Sequence, residues 1–188
     1  MGGHAGHGGG SGQLSWRTLP WLLAAILWLL PLVAMRFTDE VAWDGADVAL
    51  FGIMLLAACA AVELATRRTA SAAYRAGVAV AVVGAFLLVW MNLAVGLIGS
   101  EDHPANLLFG GVLAVGFIVA LAGRFRPRAM ARALTATASA QAAVGLVAAA
   151  AGWGWPAATI GLTVLFVALW LVAARLFRRA AGETMAPA

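Results

Sequence analysis

A chain of 188 residues that is 63% hydrophobic and only 11% charged, with a mean hydropathy of +0.93, is excluded from the ordinary water-soluble class. There about a quarter of residues are charged, and one core of this size cannot hide so much apolar surface, so lipid is the expected solvent. The net charge of +4 does not indicate nucleic acid, because the basic residues, all arginine, sit in short clusters between apolar runs and form no stripe on a soluble domain.

The first segment, 1–16, opens with MGGHAGHGGGSG and reads as a disordered tail, with too little side chain to order itself. His4 and His7 on such a tether make a weak metal site at best. A six-helix transmembrane bundle is expected over 17–179, followed by a flexible tail at 180–188. The fold class is therefore all-α, with six spans at 18–35, 46–66, 72–98, 105–123, 129–151 and 156–177. Each is close to the roughly 17–25 residues that cross about 30 Å of hydrocarbon. Helices are required because lipid cannot satisfy exposed backbone donors and acceptors.

The first span is too long for a signal peptide, lacks a strong basic n-region and is followed by VAMRFTDE with no cleavage-type small-residue pattern. Pro20 suits its first turn, and Pro31 is placed to kink its far end. The second span carries Cys59, a lone cysteine best read as a small buried residue. It also carries Glu63, one turn before Arg67 in the order that favours an ion pair at the interface. A proton-carrying role for Glu63 is the sharper alternative. In the third span, Asn92 lies near the outer surface and is expected to cap or bridge helix ends. Pro104, Pro127 and Pro156 stand at helix starts or in turns.

The fifth span is mostly alanine with Thr135, Thr137, Ser139, Gln141 and Gly145. Small residues let helices approach closely, and hydroxyls and amides bridge them. Thr137, Gln141 and Gly145 share one face, with Thr135 and Ser139 on another. The reading as a tightly packed central helix is preferred to a polar path, since a path for ions normally needs ionisable groups at depth.

Orientation follows from the loops. Eleven of the twelve arginines fall on one side, from Arg17 through Arg67, Arg68 and the RFRPRAMAR segment to Arg175, Arg178 and Arg179. The alternate loops hold Asp39, Glu40, Asp44, Glu101 and Asp102 with Arg36 alone. The positive-inside rule then places both termini in the cytoplasm, and Trp43, Trp90, Trp153 and Trp155 mark the opposite interface. The two halves show no convincing internal repeat of the kind many transporters carry.

The acidic loops RFTDEVAWDGAD and GSEDHPAN suggest an outer-face cation site from Asp39, Glu40, Glu101 and Asp102, with His103, Ser100 and Asn106 beside them, suited to Ca²⁺ or Mg²⁺. The plainer reading has Ser100 as an N-cap, Pro104 in a first helical turn and the carboxylates at helix N-termini. Arg36 is also placed to pair with the cluster. The RFRPRAMAR arginines act as topological anchors, with anionic lipid or a partner's acidic face as the alternative.

The segments PLVAMRFTDEV, WMNLAVGLIGSEDHPAN and GRFRPRAMARAL resemble a group of small bacterial multi-pass integral membrane proteins. The resemblance runs from about Pro31 to Arg179 and implies shared landmarks in the loops, without an activity. It departs from the group's pattern at His103, where the group has Asn, and at Ala129, where it has Gly; the first departure weakens a metal site built on the imidazole.

The expectation is a non-enzymatic accessory, assembly or scaffolding factor in the bacterial cytoplasmic (inner) membrane. Its expected partners are membrane lipids and another membrane protein or further copies of itself, with no nucleic acid and no cofactor. A small transporter or channel with a cation-binding acidic outer face is the alternative. An enzyme is less expected, because axial haem ligation needs histidine at depth, no metalloprotease or P-loop motif occurs, and no nucleophile sits beside a base.

Overall fold

The computed structural model describes residues 18–38 and 43–183, and among these the chain is all helical. Six α-helices occur in order: α1 (Leu19–Ala34), α2 (Gly45–Arg68), α3 (Ala72–Ala94), α4 (Leu108–Ala122), α5 (Pro127–Ala150) and α6 (Pro156–Glu183), with a 3₁₀ turn at Pro104–Leu107 leading into α4. Five helical stretches, α2, α3, the Pro104–Ala122 run, α5 and α6, are long and apolar enough to cross a membrane. The sixth, α1, has 16 residues, about 24 Å of helix at 1.5 Å per residue.

The chain divides into two compact units, Met1–Cys59 and Ala60–Ala188, with the division inside α2. In the first, α1 and the first part of α2 run antiparallel. The Trp28 indole N–H donates to the Val48 carbonyl at 3.0 Å, and the Cys59 thiol donates to the Pro20 carbonyl at 3.5 Å. Gly52 makes room for this approach: a Cβ there would lie 2.8 Å from Trp28 Nε1. At the start of α2, Asp44 Oδ1 accepts from the N–H groups of Ala46 and Asp47 while Asp47 Oδ2 accepts from the Asp44 N–H, a reciprocal cap that satisfies otherwise orphaned donors.

In the second unit α3, α4, α5 and α6 form an antiparallel four-helix bundle. The α5–α6 contact is the most extensive, followed by α3–α6 and α4–α5. Phe166, Trp170, Ala173, Ala174 and Phe177 of α6 are fully or almost fully buried, so α6 supplies the large side chains of the core. Their partners are small: a Cβ at Gly84 would stand 3.0 Å from the Trp170 ring, and one at Gly77 would stand 3.0 Å from Phe177. Large residues on one helix against glycine and alanine on its neighbours give close approach without voids, which is how helices associate where no hydrophobic force between them is available. The opposite faces are apolar and exposed, as at Phe117, Ile118, Leu121, Leu146 and Val164, a pattern that suits lipid contact and not water.

Three helix ends differ from the expected spans by more than two residues, each for a visible reason. The third span was expected to reach residue 98, but α3 stops at Ala94 because Gly96 adopts φ +70 and the N–H groups of Leu97 and Ile98 are taken by the Asn106 side chain. The fourth does not begin as a regular helix at 105: Pro104 opens a 3₁₀ turn first. The last span was expected to end at 177 and give way to a flexible tail from 180. Instead α6 continues to Glu183, because Ala180 and Ala181 are buried and Glu183 Oε2 accepts a 2.6 Å hydrogen bond from the Ser71 hydroxyl. Residues 184–188 and the expected N-terminal tail, with His4, His7 and Arg17, lie outside the described residues.

Candidate functional site

Polar side chains with partners or burial to account for occur at three levels: the loop between α3 and α4, the middle of α5, and the arginine-bearing end, where they are half-buried or exposed.

At the loop, Asn106 is 3% exposed and its carboxamide is fully engaged. Oδ1 accepts from Leu97 N at 3.2 Å and Ile98 N at 3.0 Å, while Nδ2 donates to the carbonyls of Ile98 at 3.4 Å and Ser100 at 2.6 Å. Asn92 reaches from α3 and donates to the Asn106 carbonyl at 3.3 Å; its Oδ1 is buried without a partner. The two asparagines line a cavity of about 160 Å³ with Leu88, Leu113 and Phe109. The N-cap expected of Ser100 belongs to His103, whose Nδ1 accepts from Ala105 N at 3.2 Å. Ser100 lies too far before the proline-led turn to serve it. The His103 ring also meets Trp153, with centroids 5.7 Å apart.

Glu101 and Asp102 are exposed. Asp39 and Glu40, the other half of the expected cation site, lie outside the described residues. Among the described residues no three histidine, cysteine, aspartate or glutamate side chains come together in a metal-holding group. The Asn106 side chain, named from sequence as a neutral oxygen ligand, spends its oxygen on backbone N–H groups.

In the middle of α5, Thr137, Gln141 and Gly145 are all buried. Gly145 lies against Thr163 of α6, and Gly116 of α4 against Thr137. Each hydroxyl donates its proton within its own helix. Thr135 donates to Ala131 at 2.8 Å, Thr137 to Ala133 at 3.0 Å and Ser139 to Thr135 at 3.1 Å, each to the carbonyl one turn back, as these residues do in helices. Gln141 is 0% exposed, and neither of its amide atoms has a hydrogen-bond partner; the Trp170 indole N–H is buried in the same condition.

At the arginine-bearing end, α4 turns into α5 through Arg124 and Phe125, both in the left-handed region at φ 51 and 55. The Tyr74 hydroxyl donates to the Phe125 carbonyl at 2.8 Å and the Tyr74 ring packs edge-on against Phe177 at 5.0 Å, which pins this strained turn to α3 and α6. Glu63 and Arg67 form an ion pair at 2.8 Å, with the arginine exposed. Arg178 of α6 donates to the Thr135 hydroxyl of α5 at 3.0 Å. Sequence reasoning did not foresee the Asn106 clamp, the Tyr74 pin or the Arg178–Thr135 link, since the first depends on how the loop folds back on itself and the other two join residues far apart in the chain.

No protein-family model, curated protein or solved structure matches this chain.

Proposed function

We propose that the protein is a non-enzymatic accessory, assembly or scaffolding factor of the bacterial cytoplasmic membrane, crossing it six times with both termini in the cytoplasm. The observation that carries this reading is the use to which α5 puts its polar residues. Thr135, Thr137 and Ser139 donate to their own backbone, Thr135 also accepts from Arg178 of α6, and the glycines and alanines around them hold α4 and α6 at close range. Such a helix builds a rigid bundle whose apolar outside is left to lipid and to other membrane proteins. The arginine distribution supports the orientation, and the 16 residues of α1 cross a bilayer with some local thinning. A tagged copy extracted in mild detergent is expected to carry one defined membrane protein in fixed stoichiometry. A protein that purifies alone under every mild extraction contradicts the reading.

The alternative, a small transporter or channel, draws on Gln141, whose buried amide has no protein partner, and on the exposed carboxylates of Glu101 and Asp102. A ligand that binds only the folded state at a hundred times its dissociation constant stabilises by about 2.7 kcal/mol. The accessory reading expects no rise in melting temperature in millimolar Ca²⁺, Mg²⁺ or Zn²⁺. A rise that disappears in the Glu101→Ala/Asp102→Ala variant would instead favour a cation-handling outer face.

A further inference from the structure

The arginine-bearing ends of α5 and α6 enclose an open groove of about 770 Å³, and its polar lining consists of Arg128, Arg132 and Arg178 with Thr135 and Ser139. On α5 these residues recur at helical spacing, so one face of the helix forms one wall. The floor is alanine, including Ala131, Ala136 and Ala181, and among the described residues no carboxylate lines the groove. Among the described residues neither Arg132 nor Arg178 forms an ion pair. The Thr135 hydroxyl donates its proton to the Ala131 carbonyl and accepts from Arg178 Nη2. It therefore holds the guanidinium at the wall and leaves further N–H donors of that group for a ligand.

We infer that this groove binds the phosphate of an anionic phospholipid, with an acyl chain lying along the alanine floor. Charge and shape both point there. The guanidinium groups of Arg132 and Arg178, with no lining carboxylate among the described residues, match a phosphodiester, which arginine engages through paired N–H donors. Beyond Arg132 the wall runs seven residues to Ser139, about 10 Å at 1.5 Å per residue, which takes the first part of an acyl chain within a half-core of about 15 Å. A free phosphate would fill only the mouth, whereas a lipid uses the charged mouth and the apolar floor beyond it. The inference rests on α5 and α6 being membrane spans. It does not depend on which side of the membrane the arginine end faces.

The test uses the full chain in a neutral detergent with fluorescent phosphatidylglycerol as the probe. Unlabelled phosphatidylglycerol is expected to displace it, and neither phosphatidylcholine nor millimolar inorganic phosphate is expected to do so. At about 1 kcal/mol for each arginine near the membrane surface, Arg132→Gln with Arg178→Gln weakens binding about thirtyfold. The pair Arg175→Gln with Arg179→Gln removes the same charge from α6 outside the groove and is expected to weaken it less than about threefold. Ala136→Phe fills the floor with no change of charge and is expected to weaken binding at least tenfold on the same scale as the double variant. It also stands in for the double variant should that one fail to fold. Equal loss from the two arginine pairs, no preference over phosphatidylcholine, or displacement by inorganic phosphate would each overturn the inference. A chain that stays dispersed without detergent would instead sink the membrane reading itself, so the two failures are told apart.

Discussion

The carboxamide of Asn106 holds four backbone groups of the loop after α3, and Leu97 and Ile98, whose N–H groups it accepts, are 4% and 0% exposed. Truncation to alanine strands those two donors away from water. Each buried orphan costs about 1–3 kcal/mol, so Asn106→Ala is expected to destabilise by about 2–6 kcal/mol in denaturant unfolding. His103→Ala removes one cap bond and the contact with Trp153 and is expected to cost only about 1 kcal/mol. Equal costs at the two positions would show that the loop is not built on Asn106. The residue types in GSEDHPAN suggested ligands for a cation because carboxylates, imidazole and amide occur together. What a string of residues does not display is that Oδ1 of one of them meets N–H groups eight and nine positions earlier. The same blindness affected Tyr74, whose hydroxyl bonds a carbonyl 51 residues away.

Among the helices, periodicity made α5 readable. The spacing of Thr137, Gln141 and Gly145 placed them on one face, and all three are buried. The hydroxyls donate within the helix, since a carbonyl one turn back is always within reach, and of the three Thr135 also bridges to α6, as the acceptor from Arg178. Helix ends were less legible than helix cores. The early stop of α3 depends on Asn106, and the late stop of α6 depends on Ser71, each outside the helix concerned. Gln141 separates the two functional readings at this scale. In a packing helix its unpartnered amide is a burden, so Gln141→Leu, of similar volume, is expected to leave the fold intact and raise stability by about 1–3 kcal/mol. A lower melting temperature together with loss of ion flux in proteoliposomes would mean that the amide serves a path.

At the scale of the whole molecule, hydropathy was sufficient for the all-helical architecture and for five helices that can cross a membrane, because in lipid every span must satisfy its own backbone. Apolar length alone leaves α1 in question, with 16 residues against at least 23 in α2, α3, α5 and α6. The division of the chain inside α2 and the groove between α5 and α6 were not legible either. The first reflects how closely helices pack, and the second needs an arginine of α6 brought to a face of α5. Whether α1 crosses decides the topology on which the proposed function rests. The most direct measurement replaces Cys59 by alanine and then places single cysteines at Ser11, Thr38, Thr69, Ser100 and Gly154 for labelling of intact cells by a membrane-impermeant maleimide. The account predicts that Thr38→Cys, Ser100→Cys and Gly154→Cys label from outside, while Ser11→Cys and Thr69→Cys label only after the membrane is opened. Labelling of Ser11→Cys on intact cells, alongside Thr38→Cys, would show that α1 does not cross and would contradict it.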